Sequence, residues 1–198
     1  DPEIFPRFTF DFNMVRKRLW NYAYLNCGLT LSLNGEKFKS NQGLHDLLQK
    51  EVQDNQLYDI IHVQGPQCEF ALTHTDRYGE ENFSYVNGHH TEDGGSHLSA
   101  FREGILKGVN QFYKSSYDGP DVRDGMVAAF AVKIQDPIFE SQTKNKLGNT
   151  DVRGWIANAV KAGVVDFLHK NREAAQKLES RILHNEKLRK ELNAVKKE

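Results

Sequence analysis

A polar loop, SQTKNKLGN at residues 141–149, carries the side chains of this chain that are best suited to chemistry. It contains two lysines, Lys144 and Lys146, and the side-chain amide of Gln142. A lysine ammonium is a compact point charge and a glutamine amide donates hydrogen bonds, so both suit phosphate oxygens. An apolar strand pattern at 126–134 precedes the loop and would anchor it to a rigid element. On these residues alone two interpretations stay open, a phosphate contact and an ordinary solvated loop.

A second polar segment, at residues 89–97, contains His89, His90 and His97 together with Glu92 and Asp93. Histidine and carboxylate side chains bind metal ions, but this spacing matches no standard zinc pattern and no second ligand cluster accompanies it. We therefore predict no metal site and interpret the segment as a loop that leads into a helix. The two glycines of its turn leave backbone N–H groups facing outward, where an anion could bind.

Basic residues on two predicted helices give weaker signals. Arg102 lies in the first turns of one helix, where it either faces solvent or contacts DNA. Arg16, Lys17 and Arg18 are consecutive, so they spread over much of the circumference of another helix. That arrangement favours a solvated helix face.

The composition is typical of a soluble globular protein. The chain has 198 residues, of which 27% are charged and 38% hydrophobic, enough for one sizeable core or two small domains. Its net charge of −1 gives no global attraction to nucleic acid, although residues 170–198 are mildly basic. The two cysteines form no disulfide framework in a chain of this size, which fits a reducing cytoplasm. No apolar run is long enough to span a membrane, and the absence of an initial methionine suggests a piece of a larger protein.

The periodicity of apolar residues predicts a mixture of strands and helices. The strand at 126–134 is largely apolar, so we expect it at the centre of a sheet. The helical pattern from residue 171 has only a thin apolar stripe, which is typical of a helix that projects or leans on a partner. These elements predict an α+β domain with one sheet and helices mainly on one face. Further strands are predicted at 29–33, 58–64, 69–75 and 83–86, and further helices at 11–27, 43–52, 98–112 and 151–167.

Several motifs together resemble the B subunits of bacterial type IIA DNA topoisomerases, DNA gyrase and topoisomerase IV. The matching segments are YVNG at 85–88, DGGSH at 93–97 with FR at 101–102, DVRDGM at 121–126 and, most specific, PIFESQTKNKLGN at 137–149. The resemblance extends from residue 4 to the end of the chain. The segment at 183–192 is more similar to topoisomerase IV than to gyrase. Trp155 and the adjacent Gly154 depart from the family pattern at the start of the late helix.

The resemblance implies a particular part of such a protein, the transducer domain that follows the ATP-binding domain. The expected fold is a two-layer, four-stranded mixed sheet with helices on one face, like the second domain of a small-subunit ribosomal protein, plus a long C-terminal helix. Residues 1–10 would end the preceding ATP-binding domain or form a linker. Residues 11–170 would form the transducer domain, and residues 171–198 the long connecting helix toward the following domain.

The resemblance also assigns roles to single residues. Gln142 and Lys144 match the pair that reaches the γ-phosphate of ATP, with Lys146 as a third cofactor-binding position. Arg102 matches a basic residue near the cavity that admits DNA. The implied cofactors are ATP, bound mainly by the preceding domain, and Mg²⁺, which arrives with the nucleotide. The implied partners are DNA, a second copy of the same subunit and the DNA-cleaving A subunit, in the cytoplasm and without a membrane.

The function implied is that of an ATP-hydrolysing DNA topoisomerase component, which senses the γ-phosphate and relays ATP binding and hydrolysis to DNA strand passage. The fragment alone is not expected to hydrolyse ATP. One alternative is a stand-alone nucleic-acid-binding module of the same fold, with Arg102 and residues 16–18 on phosphates. Another alternative is the second domain of a mismatch-repair-type ATPase. The sequence around Gln142 and Lys144 argues against this alternative. Gyrase and topoisomerase IV share this domain, so both assignments stay open.

Overall fold

A computed structural model describes residue 1 and residues 3–195 of the chain. Its helices are α1 (Phe12–Leu25), α2 (Leu44–Val52), α3 (Ser96–Tyr113), α4 (Gly119–Arg123), α5 (Arg153–Lys170) and α6 (Arg172–Val195). Its strands are β1 (Thr30–Leu33), β2 (Glu36–Lys39), β3 (Ile61–Gln64), β4 (Cys68–His74), β5 (Glu81–Val86), β6 (His89–His90) and β7 (Met126–Val132).

Five of the strands form one mixed sheet in the order β3-β4-β7-β5-β6, while β1 and β2 form a separate hairpin. β7 is antiparallel to β4 and parallel to β5. Its residues are all buried except the half-buried Ala131. The prediction that this apolar segment is a central strand is therefore confirmed.

Helices cover both faces of the sheet. Successive side chains of a strand point to opposite faces, so neighbouring residues of one strand pack into different cores. Phe70 of β4 and Phe130 of β7 belong to a core that includes α3, α5 and α6. Ala71 of β4 and Ala129 of β7 belong to a second core with α2 and Tyr24 of α1. The sheet is thus the middle layer of the molecule.

The α+β class, the mixed sheet and the long C-terminal helix are confirmed, and two details of the expected architecture differ. β6 adds a fifth strand of two residues to the four expected strands. α2 covers the sheet face that the sequence was expected to leave without helices. The sequence did not reveal this second covered face through an alternating pattern. A strand that is buried on both faces is apolar throughout, whereas a strand with one solvent-exposed face alternates apolar and polar residues.

α3 and α5 lie unusually close together because two glycines of α3 face α5. A Cβ atom built on Gly104 would lie 2.7 Å from the carbonyl oxygen of Ala157. One built on Gly108 would lie 3.1 Å from the Cβ of Val164. Any larger residue at Gly104 would separate the two helices, so α3 and α5 pack as one rigid pair.

Most of α6 packs on the core or on α4, and only its last turn projects into solvent. Leu178 and Ile182 are fully buried, whereas Leu192 is 63% exposed and Val195 71% exposed. This division agrees with the thin apolar stripe in the sequence. Residues 196–198 of the predicted connecting helix lie outside the described residues.

A polar cluster holds α6 against α4 near the point where α6 leaves the core. Arg189 donates to both carboxylate oxygens of Asp121 at 2.8 Å and to Asp118 at 2.6 Å. The side-chain amide of Asn185 donates to the carbonyl oxygens of Asp121 and Asp124, each at 2.9 Å. A bidentate arginine contact fixes orientation as well as distance, so α6 is held firmly at this point.

The start of α3 approaches the 141–149 loop very closely at Gly95. This glycine has φ of +128°, and a Cβ on it would lie 2.5 Å from the Leu147 nitrogen and 2.3 Å from its carbonyl oxygen. The Leu147 N–H donates to the Gly94 carbonyl at 3.2 Å, and the Ser96 N–H donates to the Leu147 carbonyl at 3.0 Å. A residue without a side chain is therefore required here for both backbone conformation and space.

Gly95→Ala is expected to destabilise the chain by about 2–4 kcal/mol, because alanine has an unfavourable φ there and would overlap the Leu147 backbone. Gly154→Ala is the matched control, since Gly154 lies in α5 with open space around its Cβ position. That change is expected to stabilise the chain by up to about 1 kcal/mol. Urea unfolding of both variants is the measurement, and equal effects of the two substitutions would contradict the close approach.

His74 is a buried, neutral histidine with both ring nitrogens hydrogen-bonded. Its Nε2 lies 2.7 Å from the carbonyl oxygen of Val122, which can only accept, so Nε2 carries the proton. Its Nδ1 then accepts from the Tyr58 hydroxyl at 2.6 Å. Burial lowers the pKa of His74 to about 4.

Acidification from pH 6.5 to 4 is therefore expected to destabilise the fold, because the unfolded state takes up a proton at His74 that the folded state excludes. The full contribution is about 3 kcal/mol, complete near pH 4 and absent above pH 6.5. In His74→Gln the slope of unfolding free energy against pH should decrease in this window. The exposed His184→Gln serves as the control, and a His74→Gln variant with the parent slope would contradict the assignment.

Candidate functional site

The candidate loop is a small irregular hairpin. Phe139 and Leu147 pair as an antiparallel bridge. The Glu140 N–H donates to the Lys146 carbonyl at 3.0 Å, and the Gly148 N–H donates to the Ile138 carbonyl at 2.8 Å. These bonds close the base and leave residues 141–145 as the tip.

Asn149 fastens the base of the hairpin. Its side-chain oxygen accepts from the Ile138 N–H at 2.6 Å, and its amide donates to the Asp136 carbonyl at 3.1 Å. Asn149 is only 6% exposed. The sequence interpretation included this residue in the motif but missed its structural role, since its partners lie 11 and 13 residues away.

The tip presents Lys144 and Gln142 to solvent. The Lys144 N–H donates to the Ser141 carbonyl at 3.1 Å, which closes a tight turn, and Lys144 has φ of +58°. The hydroxyls of Ser141 and Thr143 hydrogen-bond across this turn at 2.7 Å. None of the ion pairs in the described part of the chain involves Lys144, so its ammonium is available for an external anion.

Lys146 lies in a different electrostatic environment from Lys144. Its ammonium lies 3.0 Å from the Glu140 carboxylate, an ion pair between two half-exposed side chains. The pair places positive charge at the base of the loop but partly neutralises it. Within the residues that the structure describes, an unpaired and a paired cation thus lie two positions apart.

Arg102 lies on α3, where it lines a cavity together with Glu140 and Lys146 at the base of the loop, and it is already paired. Its Nε donates to Glu80 at 2.8 Å, and Arg123 donates to the other oxygen of the same carboxylate at 3.2 Å. The Arg102 side chain is 38% exposed. A DNA contact at Arg102 stays a prediction, and it would have to compete with Glu80.

The three histidines of the 89–97 segment do not converge. His97 is buried and its Nε2 lies 3.0 Å from the Thr91 hydroxyl, while the His89 ring packs edge-on against Phe139 and the His90 ring lies against Tyr85. Among the residues that the structure describes, no three His, Cys, Asp or Glu side chains are grouped to hold a metal ion.

The cations of α1 form a feature that sequence reasoning missed. Arg16 pairs with Glu36 at 2.8 Å. Lys17 and Arg18 instead line a cavity of about 440 Å³ that also includes Thr143 and Asn145, the neighbours of Lys144. Helical periodicity alone placed them on a solvated face, because the wall opposite them comes from distant parts of the chain.

Comparison with known proteins identifies the family of this chain. The family model for DNA gyrase B matches residues 43–198. The chain is 45% identical over 199 residues to the B subunit of DNA topoisomerase 4 from Borreliella burgdorferi, covering 100% of this chain and 33% of that protein. It is 32% identical over 193 residues to the B subunit of DNA gyrase from Clostridium acetobutylicum, covering 86% of this chain and 30% of that protein. The chain thus spans about a third of the length of these relatives.

A solved structure supports the same relationship. The 43K ATPase domain of gyrase B from Thermus thermophilus, in complex with an aminocoumarin, superimposes with a TM-score of 0.83 at 27% identity. The match covers 100% of this chain and 59% of that one. With a family match over most of its length and a relative that is 45% identical throughout, the chain belongs to the DNA gyrase B family.

Proposed function

We propose that this chain is the transducer region of the B subunit of an ATP-dependent type II DNA topoisomerase. In this proposal it senses the γ-phosphate of ATP held by an adjacent domain and relays ATP binding and hydrolysis to DNA strand passage. The observation that carries the proposal is the exposed Lys144 ammonium at the tip of a loop whose base is hydrogen-bonded to α3.

The tip residues fit a terminal phosphate. Lys144 supplies a cation without a carboxylate partner among the described residues, and Gln142 supplies an exposed amide donor. When bound, ATP would supply a triphosphate whose terminal group carries the largest single share of its negative charge. A cation at that position stabilises both the bound triphosphate and the charge that develops during phosphoryl transfer.

An adjacent ATP-binding domain is also favoured by the surface of the N-terminal segment. Six large apolar side chains are more than half exposed within the first fourteen residues: Ile4, Phe5, Phe8, Phe10, Phe12 and Met14. An apolar patch of this size normally marks an interface. We propose that the nucleotide-binding domain covers it and brings Mg²⁺ with the nucleotide.

The relay would run from the loop through packed elements to α6. Leu147 connects the loop to the start of α3, α3 packs on α5 through Gly104 and Gly108, and Arg189 holds α6 to α4. In this proposal the domain has one orientation in which the loop contacts the terminal phosphate and another in which it does not. Loss of that phosphate would remove the contact and shift the population toward the second orientation. DNA, a second copy of the chain and the DNA-cleaving A subunit are the proposed partners, in the cytoplasm.

The alternative of a stand-alone nucleic-acid-binding module has less support. Two of its proposed phosphate contacts, Arg102 and Arg16, already have carboxylate partners. A phosphate contact at either residue would first have to break an ion pair. Strong, salt-dependent binding of this chain to duplex DNA would nevertheless favour that alternative.

Lys144→Ala in the intact protein is expected to lower kcat for ATP hydrolysis by about 100-fold, since one cation on the transferred group is removed. Lys146→Ala should have an effect below about tenfold, because Glu140 already partly neutralises that lysine. Lys133→Ala is the control, an exposed lysine just before the loop. A coupled ATPase assay and DNA relaxation, with the A subunit present, give the readout. Parent rates in Lys144→Ala would refute the sensing role.

Arg189→Ala in the same intact protein is expected to separate ATP hydrolysis from strand passage. It removes the contacts from α6 to Asp121 and Asp118, so strand passage per ATP hydrolysed should fall about five- to tenfold while kcat for hydrolysis stays within about twofold. Lys187→Ala, an exposed change on the same helix, is the control. An unchanged ratio of strand passage to hydrolysis would show that the contact is not part of the relay.

A further inference from the structure

The cavity of about 440 Å³ beside the loop tip has walls from three parts of the chain. One face of α1 forms the first wall, the β5–β6 hairpin the second, and the loop tip the third. The polar or titratable groups around it are Lys17, Arg18, Asn21, Tyr22, Tyr85, His89, His90, Glu92, Thr143 and Asn145.

The charge of this cavity is positive. Lys17 and Arg18 are one and two residues from Arg16, yet only Arg16 appears among the ion pairs of the described residues. Glu92 contributes a carboxylate to the lining, and it lies 3.7 Å from the Nδ1 of His90. Two cations and one carboxylate thus face the same space, and neither cation forms an ion pair within the described part of the chain.

His90 responds to both signs of charge in the lining of this cavity. Burial lowers the pKa of its imidazole, Glu92 opposes that shift, and Lys17 adds to it. An anion that binds beside this imidazole would raise its pKa, because a nearby negative charge favours the protonated ring. His90 therefore offers a direct reporter of anion binding.

We propose that this cavity binds a tetrahedral oxyanion, inorganic phosphate, next to the residues that flank Lys144. Arg18 offers a planar fork of donors, Lys17 a point charge, and Asn21 and Tyr22 neutral donors. One water takes about 30 Å³ in the liquid, so the cavity admits a phosphate ion with several accompanying waters.

Within the proposed function, on which this step rests, the cavity would receive the phosphate that leaves the nucleotide after hydrolysis. Thr143 and Asn145 lie on the cavity wall, while the side chain of Lys144 between them extends from the tip into solvent. A phosphate that moves from the nucleotide past the tip would meet Lys17 and Arg18. The cations would thereby favour release of phosphate from the sensing position.

The test is a titration of this chain with sodium phosphate, against sodium chloride at equal ionic strength, followed by NMR of the histidine ring signals. We expect saturable shifts of the His89 and His90 signals with a dissociation constant of about 1–10 mM, and a rise in the pKa of His90 at saturation. Lys17→Gln with Arg18→Gln should weaken binding at least about tenfold. Arg16→Gln, a matched change beside the cavity, should leave it within about twofold.

Three outcomes would overturn the proposal: shifts that chloride reproduces, equal affinity in the Lys17→Gln and Arg18→Gln double variant, and a fixed His90 pKa. A non-hydrolysable ATP analogue that displaces phosphate and binds more tightly through Lys17 and Arg18 would assign the site to nucleotide instead. These results are separable from the proposed function, since Lys144→Ala can abolish ATP hydrolysis whether or not phosphate binds here. If Lys144→Ala hydrolysed ATP at the parent rate and the chain still bound phosphate, the phosphate site in the cavity would stand. Its proposed role in receiving phosphate after ATP hydrolysis would be wrong.

Discussion

The main-chain contact between Leu147 and residues 94–96 is the constraint on which the rest of the proposed mechanism depends. A lysine on an untethered loop could reach a phosphate, but its movement would not be transmitted to anything. Here both polar groups of the Leu147 peptide backbone bond to the start of α3, and Leu147 itself is buried in the core. The absence of a side chain at Gly95 allows this contact, so the proposed mechanism requires glycine at a position outside the loop itself.

Features that depend on neighbours in sequence could be predicted well. Asp11 caps α1 by accepting from the Asn13 and Met14 N–H groups. The turn at Asn34 and Gly35 has positive φ at both positions, as a two-residue hairpin turn requires. The unbroken apolar character of β7 predicted a central position. The polar tip of the candidate loop was equally evident, because it lies between the apolar strand at 126–134 and the apolar pattern of the helix that follows the loop.

Features that depend on residues distant in sequence could not be predicted in this way. Arg102 and Glu80 are 22 residues apart, and no periodicity relates them. On α1, Tyr22 is 48% exposed whereas Tyr24 is 5% exposed, and only the tertiary packing decides which of the two is buried. The placement of α2 on the second sheet face, and of Lys17 beside the loop tip, likewise arises from tertiary packing. Family resemblance supplied the proposed role of Lys144, which spacing alone left open.

The left-handed backbone of Lys144 has an implication for how this chain would respond to selection. Glycine or asparagine adopts that conformation at lower cost than lysine, by about 1 kcal/mol. A library at this position that is sorted for thermal resistance should enrich glycine and asparagine, whereas one that is sorted for turnover by the assembled enzyme should retain the ammonium. Under the proposed role of Lys144, the demands of folding and of chemistry thus conflict at a single position of the hairpin tip.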